Sequence, residues 1–249
     1  MHALRRVCGL IVFSILAGLT VHAQEKVDPQ PKDTSIPRGF RMYFVNDTRY
    51  GAPEVATKLI DPKRAIATEG RNRVGKLHDP VTEHGLFSVI GVWSRTIPTT
   101  KEEPVVKLLE RVEEVTKKYQ LKRMGAFAAF LGLKKEFEED DDRDKRMAEI
   151  ANLSKDFKFL QTGLAEETSA QNTAWGLDAK NEDMSWKNQI TVVLYHRFKI
   201  VGRWEFATDK PPTEADLDKI AAAVDVLMGK KPSETKKDEP KVEPKAEPK

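Results

Sequence analysis

Residues 88–104 read SVIGVWSRTIPTTKEEP, from Ser88 to Pro104. The stretch leaves an apolar run, crosses a polar loop around Pro98 and enters a helix. Leu86 to Trp93 is almost continuously apolar and rich in β-branched residues. That composition predicts a strand buried on both faces, as in a parallel sheet. Val105, Leu108, Leu109, Val112 and Val115 recur at helical spacing, with lysines and glutamates between them. Pro104 suits the first turn of that helix. Alternatively, Thr100 and Glu103 form a capping box and the helix begins near Thr100. In α/β proteins chemistry gathers at the C-terminal ends of strands. This loop holds no cysteine or histidine, and no carboxylate before Glu102.

Working outward, Phe40, Met42 and Phe44 alternate with Arg41 and Tyr43 and predict a short strand. Residues 52–80 show no sustained period and read as a long irregular connection with one short strand. Met124–Leu133 is a second buried strand. The acidic run Glu136–Asp144 precedes a helix carrying Met147, Ile150 and Leu153, and lacks the alternating spacing and glycine of a calcium loop. A third strand lies within Phe157–Glu167, followed by a short helix or turn ending at Gly176. Gln189–Phe198 and Lys199–Ala207 predict a hairpin turning near Arg197–Lys199. Its turn lacks glycine, which leaves the turn type open. The last helix starts at Thr213, with Asp216 three residues on, and stops at Gly229. Crossovers between the early strands imply parallel pairing, and the hairpin adds antiparallel strands. The fold class is α/β: a mixed sheet of about five strands flanked by helices.

The ends speak to compartment. Residues 1–23 read as a signal peptide, with Arg5 and Arg6 before the apolar run VCGLIVFSILAGLTV and cleavage expected after Ala23. An uncleaved anchor is the alternative, but nothing after the run is apolar enough to span a bilayer. The expected location is secreted or periplasmic, with no stable membrane span after cleavage. The chain's one cysteine, Cys8, lies within the signal, so the mature chain is expected to be free of thiols and disulfides. Residues 24–39 form a polar leader and residues 40–85 an N-terminal extension packing on the main domain, 86–229. Residues 230–249 repeat Glu-Pro-Lys and read as a disordered tail. A net charge of +3 with mixed signs argues against a nucleic-acid surface.

The element order, the text from SVIGVW to Pro104 and the hairpin ITVVLYHRFKIVGRW resemble the thioredoxin-like superfamily. The branch that includes peroxiredoxins and periplasmic thiol oxidoreductases is the most similar. The resemblance covers residues 86–229. It implies that Thr96-Ile97-Pro98-Thr99 stands where the family has Cys-x-x-Cys, if Pro104 is the anchor. Anchoring on Trp93 shifts the match to Ile97–Thr100. It also implies that Ile190 or Thr191 occupies the place of the family's cis-proline. A threonine hydroxyl cannot replace a thiolate in disulfide exchange or peroxide reduction. The resemblance therefore implies the fold without the fold's usual chemistry.

Two other constellations stand out. His78, Asp79, Glu83 and His84 are suitable ligand types for zinc or another divalent metal, though no His-Glu-x-x-His spacing is present. The plainer reading makes them solvated loop residues or strand caps. Trp175 and Trp186 flank a polar loop that a thioredoxin-like fold would bring near Trp93 and Pro98. Those four residues either line a groove for an extended peptide or pack into the core. His196 has no nearby partner in sequence and is expected to be exposed. The leading expectation is an exported, redox-inactive binding or structural module of the cell envelope. It takes a protein or peptide partner, has no catalytic residues or cofactor, and is not an enzyme. The competing expectation is a metal-assisted enzyme at His78, Asp79, Glu83 and His84.

Overall fold

In a computed structural model, residues 35–37, 39–48 and 73–229 are described. The stretch read as a signal, most of that read as a leader, residues 49–72 and the stretch read as a tail lie outside them. Seven strands form one sheet in the order β2-β1-β5-β4-β3-β6-β7. They are β1 Met42–Phe44, β2 Leu77–His78, β3 Ser88–Ser94, β4 Gly125–Gly132, β5 Leu160–Glu166, β6 Ile190–His196 and β7 Lys199–Phe206. Six helices accompany them among the described residues: α1 Pro80–His84, α2 Pro104–Lys118, α3 Lys134–Glu138, α4 Asp140–Ser154, α5 Ala170–Ala174 and α6 Glu214–Leu227. β3, β4 and β5 run parallel, while β6 and β7 are antiparallel to their neighbours. The count of about five strands is corrected to seven. β1 and β2, in the segment read as an extension, continue the same sheet, because β1 pairs antiparallel with β5 and β2 with β1.

Every residue of β3 and β4 is buried. Their side chains alternate between two cores. Ile90, Val92, Ala126, Ala128 and Phe130 face a core that also takes Leu108, Leu109 and Val112 of α2, Ile150 of α4, and Leu217, Ile220 and Val224 of α6. Val89, Trp93, Phe127 and Ala129 face the other core, with Phe40, Phe44, Val81, Trp175 and Tyr195. An unbroken apolar run is what two covered faces require. Gly91 lies between Trp93 and Phe127. A Cβ there would stand 2.6 Å from the Phe127 ring and 2.8 Å from the Trp93 indole, so only glycine lets these rings close over the strand.

Several local features differ from the sequence reading. The acidic run is itself helical, in two pieces: α3 ends at Glu138, Glu139 is extended, and Asp140, Asp141 and Asp142 open α4, where they complement its dipole. The hairpin turn places Arg197 at φ 50° and Phe198 at φ 60°. Two successive left-handed residues define a type I′ turn, built here without the usual glycine. His196 is half-buried rather than exposed, and its Nδ1 lies 3.0 Å from Ser88 Oγ across the β3–β6 pair. The capping box of α6 forms as read: Asp216 N donates to Thr213 Oγ1, and Thr213 N to Asp216 Oδ2 at 3.1 Å. One carboxylate ties α2 to the sheet. Glu113 accepts from the backbone N–H of Lys158, Phe159 and Leu160 at the entry to β5.

Candidate functional site

β3 delivers its last residue, Ser94, to the end of the sheet, and α2 begins only at Pro104. Neither Thr96 nor Ile97 opens the helix: a nine-residue loop, 95–103, separates strand from helix. Pro104 is the first helical residue and Glu103 the N-cap. Half of the alternative box nevertheless forms. Glu103 Oε1 accepts from Thr99 N at 2.7 Å, Thr100 N at 3.0 Å and Thr99 Oγ1 at 3.1 Å. These bonds, the one from Thr99 N foremost, hold the carboxyl below the usual glutamate range. Ser94 Oγ donates to Thr96 O at 2.7 Å and closes the other end of the loop. Thr96 and Thr99 are exposed, Ile97 is half-buried against the first core, and Pro98 is buried.

The residues in the cis-proline position do meet this loop. Ile190 pairs with Ser94 and Thr191 with Trp93. Both are ordinary strand residues of β6, and no cis peptide bond occurs among the described residues.

Arg95, which sequence reasoning passed over, organises the surroundings. Its side chain is 4% exposed. Nε donates to Asn188 O at 3.2 Å, Nη1 to Glu167 at 3.1 Å, and Nη2 to Leu177 O. Its backbone N–H donates to Gln189 O at 3.0 Å. The guanidinium lies 3.5 Å over the Trp186 ring, and Lys180 approaches the same ring. Burial presses the Arg95 pKa below the ordinary arginine value, against the opposing pull of Glu167. The only sequence signal was an arginine placed directly after a two-faced buried strand.

The loop carrying Trp186 thus reaches the β3–α2 loop, but no tryptophan-lined groove results. Trp93 is 1% and Trp175 2% exposed, and their rings pack 4.9 Å apart in the second core. Trp186 is occupied by cations. Of the two readings, core packing holds for Trp93 and Trp175, and the possible groove of Trp93, Pro98, Trp175 and Trp186 does not form, because burying two indoles stabilises the core more than exposing them would.

An open cleft of about 530 Å³ lies instead on the α2–α4 side of Pro98. Ile97, Pro98, Thr99, Thr100 and Lys101 form one wall, Val106 and Glu110 of α2 a second, and Arg146, Glu149, Asn152 and Leu153 of α4 a third. Lys155, Asp156 and Phe157 close its end. The apolar lining is Ile97, Pro98, Val106, Leu153 and Phe157; the charged lining carries both signs. Pro98 is the one member of the expected groove that lines it.

The proposed metal ligands disperse. Asp79 caps α1, accepting from Val81 N at 3.0 Å, Thr82 N at 3.2 Å and Thr82 Oγ1 at 2.5 Å. Glu83 pairs with Arg73 and, at 2.8 Å, with His78 Nδ1. Arg73 also binds Asp47, through Nη2 at 2.5 Å. The His84 ring packs against Gly125, where a Cβ would fall 2.4 Å from Nδ1. Among the described residues no three histidine, cysteine or carboxylate groups gather to hold a metal. The cluster is corrected to a cap and an ion-pair network, since each side chain has found a nearer partner.

Sheet order, strand directions and the strand–loop–helix at β3–α2 make this a thioredoxin-like fold. No protein-family model matches the chain, and no curated protein does. Solved structures with a similar fold include AhpC of Mycobacterium tuberculosis, at 10% identity and TM-score 0.49, covering 79% of this chain and 92% of that one. The yeast mitochondrial 1-Cys peroxiredoxin is similar at 10% identity and TM-score 0.45, covering 78% and 75%. The bacterioferritin comigratory protein of Xanthomonas campestris, described with alkyl peroxide reduction activity, is similar at 12% identity and TM-score 0.41, covering 61% and 87%. The expectation that the chain is not an enzyme is corrected by these neighbours. The similar structures include peroxiredoxins and a thiol:disulfide interchange protein, and a missing thiol bears on one chemistry rather than on catalysis in general. Among the described residues, no helix is long and apolar enough to cross a membrane.

His84 gives a pH dependence. Burial, helped by Arg73, lowers its pKa from 6.5 to about 4. The unfolded chain therefore takes up this proton before the folded chain does. Stability from this group is complete above pH 6.5 and is lost as pH falls toward about 4. Urea unfolding should show a loss of about 2 kcal/mol between about pH 7.5 and about pH 5 that His84→Leu does not share. Equal losses in the two proteins would contradict this assignment.

Proposed function

We propose that this chain is an exported thioredoxin-like protein that binds a protein or peptide partner of the cell envelope at the β3–α2 loop, with no thiol step in its action. The observation that carries the reading is the cleft of about 530 Å³ beside Ile97–Lys101. Its apolar lining offers anchorage for one or two side chains of an extended segment. Its rim of Lys101, Glu110, Glu149, Lys155 and Asp156 can select charges of both signs. The loop offers threonine hydroxyls, two of whose neighbouring amides are already engaged by Glu103. The described residues contain no cysteine. Cys8 falls in the stretch read as a signal peptide.

Filling the cleft tests the site. Thr100 is exposed and lines it, so Thr100→Trp should abolish capture of envelope proteins by the immobilised chain while leaving its circular dichroism unchanged. Undiminished capture would sink the assignment. Export has its own check: intact-mass analysis of the chain from its native host should find an N-terminus at Gln24. A chain still beginning at Met1 would contradict the signal-peptide reading.

A further inference from the structure

The end of the sheet opposite the β3–α2 loop carries a surface of another kind. β3 and β4 enter side by side there, with Val89 beside Gly125, and Ser88 pairs with His196 just ahead of the β6–β7 turn. Leu86 is 61%, Phe87 38% and Leu121 64% exposed. Leu86 and Phe87 lead into β3, and Leu121 sits in the 3-10 turn Gln120–Lys122 that leads into β4. A single exposed leucine needs no explanation, but three large apolar side chains at two adjoining strand entries point to a contact outside the chain.

The charge around them says with what. The Arg123 guanidinium lies 5.2 Å from the centre of the Phe87 ring. Arg197, exposed in the β6–β7 turn, follows directly on the residue paired with Ser88, and Lys117 is exposed in the last turn of α2. The acids at this end are engaged within the chain or flanked by cations. Asp225 accepts from Lys118 and Tyr119, Glu83 pairs with Arg73, and Asp79 caps α1. Asp156 stands between exposed Lys155 and Lys158. Apolar tips with a cationic rim are the complement of a lipid surface, where hydrocarbon lies beneath anionic headgroups. Leu133, 51% exposed at the far end of β4, is followed instead by the acidic run Glu136–Asp144.

We propose that this end of the sheet docks on an anionic lipid surface. Leu86, Phe87 and Leu121 enter the interface, and Lys117, Arg123 and Arg197 meet the headgroups. Docked this way, the chain turns its β3–α2 loop away from the lipid.

Vesicle binding by the full chain tests this. Vesicles containing phosphatidylglycerol should slow hydrogen exchange in segments 84–88 and 119–124 and leave the loop 95–103 unchanged. Vesicles of phosphatidylcholine alone should leave all three unchanged. Leu86→Asp combined with Leu121→Asp should weaken sedimentation with the anionic vesicles about tenfold or more. Leu133→Asp should bind as wild type does, with circular dichroism unchanged in both variants. Equal slowing by the two lipids would overturn the role of the cations. Undiminished binding by the double variant would place the contact elsewhere on the chain and overturn this surface. Protection of these segments by envelope proteins but by neither vesicle would make the occupant a protein and overturn the lipid assignment.

Discussion

The guanidinium of Arg95 is the interaction on which the candidate site depends. It leaves the sheet immediately after β3, is almost fully buried, and bonds to Glu167 after β5 and to two carbonyls of the 177–188 segment. Burying an arginine is tolerable only when its donors are paired and its charge is compensated. Three polar partners and the face of Trp186 meet that condition. The consequence is positional. With Arg95 fixed, the chain must turn at Thr96 toward the α2–α4 side, where Pro98 buries and Ile97–Lys101 become the wall of the cleft.

In the same loop, the turn before a helix is where backbone amides can meet an anion. Here Glu103 supplies that anion from within the chain and engages Thr99 and Thr100. The turn is internally satisfied, and what it offers to other molecules is shape and side-chain chemistry along the neighbouring cleft.

Much of the architecture was legible in the sequence because its signals are local. The two-faced strands Ser88–Ser94 and Gly125–Gly132, the helical spacing of Val105–Val115, and the capping pair Thr213 and Asp216 each follow from a few adjacent residues. What escaped depends on distant partners. β1 and the short strand before Pro80 were legible as strands, but not that they extend the sheet, because their place is set by pairing with β5 and with each other. The type I′ turn at Arg197 and Phe198 had no glycine to announce it. Trp93 and Trp175 looked like groove residues because sequence cannot show that Gly91 opens the space in which these indoles bury. His78, Asp79, Glu83 and His84 looked like ligands because Arg73, which takes Glu83, lies across an aperiodic stretch. Arg95 was missed for the same reason: its partners are 72 to 93 residues away.

The central claim is that one buried guanidinium holds the β3–α2 loop and the 177–188 segment as a single unit. Hydrogen exchange in Arg95→Ala tests it most directly. The account predicts that segments 96–103 and 177–188 lose protection together, while α6, held in the first core by Leu217, Ile220 and Val224, keeps its own. Unchanged exchange in both segments, or loss in one without the other, would contradict it.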